Sequence, residues 1–167
     1  VLRRISEALM REAARKVAGD FERIRRAGEQ TADTQLLGAV TEIIWFQRDV
    51  SSVLAEPPSL LDMVFSAEGE TMMNRWIRAE ITTGSRVLGE VFREDSAWDP
   101  EPVTGVPRTA ACAAELFASY TERYALLSSS DARKNFVLIA QKPVMIFLLD
   151  DVISAAKSAA SLPHPEL

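Results

Sequence analysis

Apolar positions recur along the chain at steps of three and four, the spacing that gathers them on one side of an α-helix. The first stripe is Leu2, Ile5, Leu9, Ala13, Val17, Phe21 and Ile24, with arginines on the other faces and Gly28 where a helix C-terminus would use it. Thr31, Asp33 and Thr34 offer N-caps for a second helix. Its apolar positions are Leu36, Leu37, Val40, Ile43, Ile44, Phe46 or Gln47, Val50 and Leu54. Trp45 and Phe46 are adjacent and cannot share one narrow face, so either two neighbours flank this helix or one aromatic lies exposed, burial between two neighbours being the commoner arrangement.

Pro57-Pro58 ends that pattern, and Ser59 with Asp62 makes a near capping box for a short helix through Phe65. Ser66 is placed to cap the next helix. Its apolar side is Met73, Ile77, Ile81, Gly84, Leu88 and Val91 or Phe92, and it is expected to end near Ala97-Trp98. A glycine on that side predicts a close helix–helix approach at Gly84, since its propensity penalty of about 1 kcal/mol must be offset. A Pro-rich loop, 99–108, leads to the stretch around which the chain is expected to organise, a helical hairpin over 109–153. Its first helix carries Cys112 or Ala113, Leu116, Tyr120, Tyr124 and Leu127, and its second carries Phe136, Ile139 or Ala140, Val144, Phe147 or Leu148, and Ile153. Ser128 to Asp131 supply the turn and the N-cap. Pro143 predicts a kink, because the apolar phase continues across it. Nothing alternates with period two, so no strand is expected.

The prediction is an all-α protein: an elongated bundle or rod of antiparallel helices. Residues 1–167 read as one helical region, with a basic helix over 1–28, a helical segment over 31–98 and a hairpin over 109–161. The pattern begins inside a helix, which suggests a piece of a longer polypeptide. Apolar residues at 47% and charged residues at 26% are ordinary for a folded domain. One cysteine, Cys112, excludes an internal disulfide, fits a reducing compartment and reads as a small core residue. The longest apolar run, Val144 to Leu149, is far short of the ~20 residues of a membrane span, so a soluble chain with at most peripheral membrane contact is expected.

The net charge of −5 disfavours general nucleic-acid binding. Residues 1–28 nevertheless hold eight of the 19 Lys and Arg against four of the 24 Asp and Glu. That basic helix could meet an acidic lipid surface or partner, through Arg3, Arg11, Arg15, Arg25 and Arg26. The one histidine, His164, sits between prolines near the end of the chain. With one histidine and one cysteine, neither a soft-ligand zinc site nor a Ser-His-Asp or Cys-His mechanism is expected. Gly69, Gly84 and Gly89 are isolated and make no phosphate cradle, and no carboxylate pair has catalytic spacing. The reading is a non-enzymatic chain without a cofactor or small-molecule substrate, acting through its surfaces. Trp98, beside the Pro-rich loop, is the aromatic nominated as a partner anchor.

The order of several segments resembles that of a known family. Thr121-Glu122-Arg123-Tyr124 closes a helix, a polar linker follows, and Ala132-Arg133-Lys134-Asn135-Phe136-Val137-Leu138 opens the next. Upstream, Pro58-Ser59-Leu60-Leu61, Trp76 with Glu80, Ser96-Ala97-Trp98 and Val106-Pro107 follow in matching order. Together, over 36–153, they resemble the RINT/TIP family, tether subunits of the Dsl-type (NRZ) complex at the endoplasmic reticulum. The resemblance implies a helical rod of the kind found in multisubunit (CATCHR-type) tethers. It implies a role in capturing COPI-coated vesicles in Golgi-to-ER retrograde transport, with tether subunits and ER SNAREs as partners, on the cytosolic face of that membrane. Pro143 departs from the uninterrupted helix expected at its position. Two alternatives from other classes are a membrane-surface module using the basic helix and a helical module binding a ligand between its helices.

Overall fold

The computed structural model describes residues 2–27, 29–54 and 57–160, and side chains over 4–27, 31–54, 57–66 and 69–158. The expectations for Gly28, His164 and the Pro-flanked tail, and for the Leu2 and Arg3 side chains, lie outside the described residues. The chain folds into α1 (Leu2–Arg26), α2 (Glu29–Val53), α3 (Leu60–Glu68), α4 (Glu70–Phe92), α5 (Arg108–Ala125), α6 (Ser130–Phe136), a π-helical segment (Val137–Gln141) and α7 (Lys142–Ala160). The one β pairing among the described residues is an isolated bridge, Pro100 to Pro107, that pinches the loop after α4. The protein is all-α.

The organising element is α4, which corrects the expectation for the 109–153 hairpin. It packs against α2, α3, α5, the π segment and α7, while α1 lies on α2 and α3. Glu80 meets Tyr120 and Arg123 while Gly84, one turn on, lies against Leu116 and Tyr120, so α5 runs antiparallel to α4. Trp76 meets Phe136 and Gly89 meets Phe147, so α6 to α7 runs parallel to α4. The core is threaded by rings. Phe21 touches Phe65, Phe65 stacks on Trp76 with centroids 5.2 Å apart, Trp76 lies 4.9 Å from Phe136, and Phe136 meets Tyr120 and Tyr124. Five helices are thereby joined through one aromatic chain, each contact adding to the area it buries.

Several sequence expectations shift in the structure. In α1, Met10, Phe21 and Ile24 are buried, but Ile5 and Leu9 face outward. A run of steps of four gains about 40° per step on a 3.6-residue helix, so Ile5 and Phe21 cannot point the same way. In α2, Leu36, Val40, Ile43, Ile44, Gln47 and Val50 are buried as the stripe predicts, but Trp45 is 61% exposed rather than held between neighbours. The α4 N-cap is Gly69, at φ +80°, and not Ser66. α4 stops at Phe92, and turns carry 93–98.

Ser59 does cap α3, accepting from the Asp62 N–H at 3.1 Å. Its hydroxyl also donates to the Leu126 carbonyl at 2.6 Å, and the Asp62 carboxylate accepts from the Ser128 N–H at 2.7 Å. Buried Gln47 accepts from the Leu60 N–H at 2.8 Å. The start of α3 is thus tied both to α2 and to the α5–α6 turn, satisfying donors a short helix leaves open.

At Pro143 the chain stays helical. The Lys142 N–H donates to the Val137 carbonyl five residues back, the widened turn of a π segment. Proline supplies no N–H and crowds the carbonyl four residues earlier, and a wider turn just before it relieves both.

Candidate interaction surface

The first place to look for chemistry is the seam between α4 and α5, where a carboxylate is buried. Glu80 is 5% exposed. Its Oε1 accepts from Trp76 Nε1 at 2.8 Å and lies 2.8 Å from Arg123 Nε, while its backbone carbonyl accepts from the Tyr120 hydroxyl at 2.8 Å. The Arg123 Nε is not aligned as a hydrogen bond, so that contact is Coulombic. Burial pushes the Glu80 carboxyl above the ordinary range, opposed by Arg123 and by the Trp76 hydrogen bond. Burial, and then the Glu80 charge, also hold the Tyr120 phenol well above its usual value. Trp76, Arg123 and Tyr120 all turn their polar groups onto Glu80. The node fixes the register of α4 against α5.

Gly84 sits on the same seam. A Cβ there would fall inside contact distance of the Tyr120 hydroxyl and 3.3 Å from Leu116 Cδ2, which is the close approach the glycine predicts. Cys112 is half-buried against the core, with its thiol pushed up by burial and by Glu115. Among the described residues no group of three His, Cys, Asp or Glu could hold a metal. No helix among them is long and apolar enough to cross a membrane.

The residues nominated from sequence do not come together. Arg11, Arg15, Arg25 and Arg26 are exposed along α1, and each has an acidic neighbour one turn away: Glu7 at 4.0 Å, Glu12, and Glu22 at 3.5 and 2.9 Å. Their charge is answered locally, at the i,i+3 and i,i+4 spacing of helix ion pairs. Most of the apolar side of α1 that a membrane-surface helix would present, from Met10 to Ile24, is turned onto α2 and α3 instead, with Ile5 and Leu9 left outside. Trp98 stacks on Phe92 with centroids 5.6 Å apart and planes within 9°, which closes the loop onto the α4–α7 seam and leaves it 39% exposed. An open polar recess bounded by Asp33, Thr71, Arg75 and Arg78 would serve a small anion only in competition with Asp33, which already holds Arg75 at 2.7 Å.

The surface that stands out is the outer side of the π segment and α7. Leu138, Ile139, Met145, Ile146, Leu149, Val152 and Ile153 are all exposed, at 38–56%. Ile153 was expected inside. It emerges because Phe147 already packs on Phe92, the last residue of α4, and α7 runs on past that end. Beside this row, Phe117 of α5 and Lys142, Met145, Ile146, Leu149 and Val152 line an open groove of about 410 Å³. Exposed aliphatic residues are common singly, but seven along one helical stretch form a contiguous apolar patch of the kind that marks an interaction site. The signal was present in the sequence. Six consecutive apolar residues, Val144 to Leu149, put apolar groups on every side of a helix, and one neighbour can cover only part of them.

Comparison with family models, with curated proteins and with solved structures returned no match to this chain.

Proposed function

We propose that this chain is a non-enzymatic helical interaction module whose contact surface is the outer face of α7. The observation that carries the reading is that apolar row beside Phe117, where exposed apolar side chains gather along one helical stretch instead of standing singly. Burying it against another protein would remove apolar area from water, the main favourable term in association.

The finer reading is a subunit of a vesicle tether acting in Golgi-to-ER retrograde transport, peripheral on the cytosolic face of the endoplasmic reticulum. It rests on the collinear residues that resemble the RINT/TIP family, from Pro58-Ser59-Leu60-Leu61 to the 132–138 segment. In that role the helices are one stretch of a rod that separates binding ends, and tether subunits and ER SNAREs are the partners. Affinity capture with the tagged chain, from cytosol and from detergent-solubilised ER membranes, tests it. Co-recovery of ER SNAREs and tether subunits is expected. If neither is recovered, the tether assignment falls and only the interaction module stands.

A further inference from the structure

The occupant of the α7 face can be read from the charges that interrupt it. Lys142 and Asp150 are exposed, and neither has an ion-pair partner among the described residues. They stand four residues before and four after Ile146, so the three form one ridge of the helix surface, with Met145, Leu149 and Ile153 as the next ridge. A ridge with a cation at one end, an anion at the other and an apolar centre complements itself when reversed.

We infer that α7 pairs with α7 of a second copy of this chain, antiparallel about a two-fold axis at Ile146. In the commonest helix-packing class, with axes crossing at about −50°, the four-residue ridges of both helices lie side by side. Reversal then sets Lys142 of each copy beside Asp150 of the other, around an Ile146–Ile146 contact. Such an interface is isologous, as two-fold dimers require. Met145 and Leu149 of each copy face the groove beside Phe117 of the other. A foreign apolar helix would satisfy the aliphatic residues equally well, but only a partner with this charge order satisfies Lys142 and Asp150 as well. The inference rests on α7 as a contact face and not on the tether assignment.

Sedimentation of the purified 167-residue chain over a concentration series tests it. A reversible dimer with a Kd of about 1–100 µM is expected, because one helix face is small beside a standard interface. Ile146→Glu should weaken it by about tenfold or more, with circular dichroism confirming an unchanged fold. Lys142→Glu and Asp150→Lys should each weaken it by about three- to tenfold by setting like charges together, and the double exchange should restore it. A chain that stays monomeric above that range overturns the proposal. So does a dimer that the double exchange fails to restore, which would mean indiscriminate apolar contact. If Ile146→Glu leaves the chain's own association unchanged but abolishes capture of another protein, the face belongs to that protein and the proposal also falls. Sedimentation needs no other component, so its failure and the failure of the tether reading are separately visible.

Discussion

α4 and α7 run parallel and touch, yet they treat polarity in opposite ways. α4 buries a carboxylate, Glu80, and exposes no large apolar side chain, while α7 exposes five aliphatic side chains from Met145 to Ile153. The difference lies in partners rather than in composition. Glu80 is tolerable inside because Trp76 and Arg123 meet its charge and Tyr120 meets its carbonyl. Among the described residues nothing covers the aliphatic row of α7. Burial follows from whether a group can be satisfied where it sits, not from its place on a hydrophobicity scale.

The sharpest way to break the α4 side is to remove one partner and leave the other. Arg123→Met keeps an apolar stem against the core and strands the Glu80 charge, at a cost of about 3 kcal/mol or more near neutral pH. The sign of its pH dependence follows from Glu80. A carboxyl whose folded-state pKa is raised favours the folded chain when protonated. Its contribution is therefore present below the unfolded pKa and is lost as pH rises through the folded one. Without Arg123 the folded value climbs further, so the deficit of the variant should shrink between about pH 7.5 and pH 5. Urea denaturation of both proteins at the two pH values measures it. A deficit that does not change with pH would place the damage in packing rather than in charge.

A smaller effect, about 2 kcal/mol, is expected for Gly84→Ala. The added methyl displaces the Tyr120 hydroxyl from the Glu80 carbonyl and outweighs the gain in helix propensity. In a Tyr120→Phe background the hydroxyl is absent, so the alanine should cost less than it does alone, and a double-mutant cycle reads the coupling. Gly38→Ala supplies the contrast. That glycine lies in α2 with open space around it, and the same substitution should stabilise by about 1 kcal/mol.

These residues also mark what could be read from sequence. Leu36, Val40, Ile43 and Val50 were legible because their stripe spans few turns and faces a long neighbour. Gly84 was legible because a helix-disfavouring residue on a buried side calls for a compensating contact. The hub role of α4 was not, because Glu80 looks like a solvent-facing charge until Arg123, 43 positions later, is known to reach it. Ile5 falls outside because a long run of steps of four drifts around the helix, and Trp45 stayed undecided because periodicity gives the angle between side chains and not the number of neighbours around a helix. The α7 face was half-legible. Its run of six apolar residues implied more apolar surface than one neighbour could cover, but which residues stay outside depends on where α4 ends.

The weakest expected effect is the most discriminating. Val144 and Met145 are adjacent on α7, the first fully buried and the second 52% exposed. Val144→Ala should cost about 2 kcal/mol, from the lost burial of its methyl groups and the small cavity left behind. Met145→Gln should change stability by no more than about 0.5 kcal/mol when measured at high dilution, where nothing covers it. Repeated at concentrations where two copies pair, Met145→Gln should become the more harmful of its two readings, since wild-type stability then gains from association by mass action and the variant's does not. Equal deficits at both concentrations would mean that pairing of two copies does not cover Met145, and the contrast between the two helices would lose its sharper half.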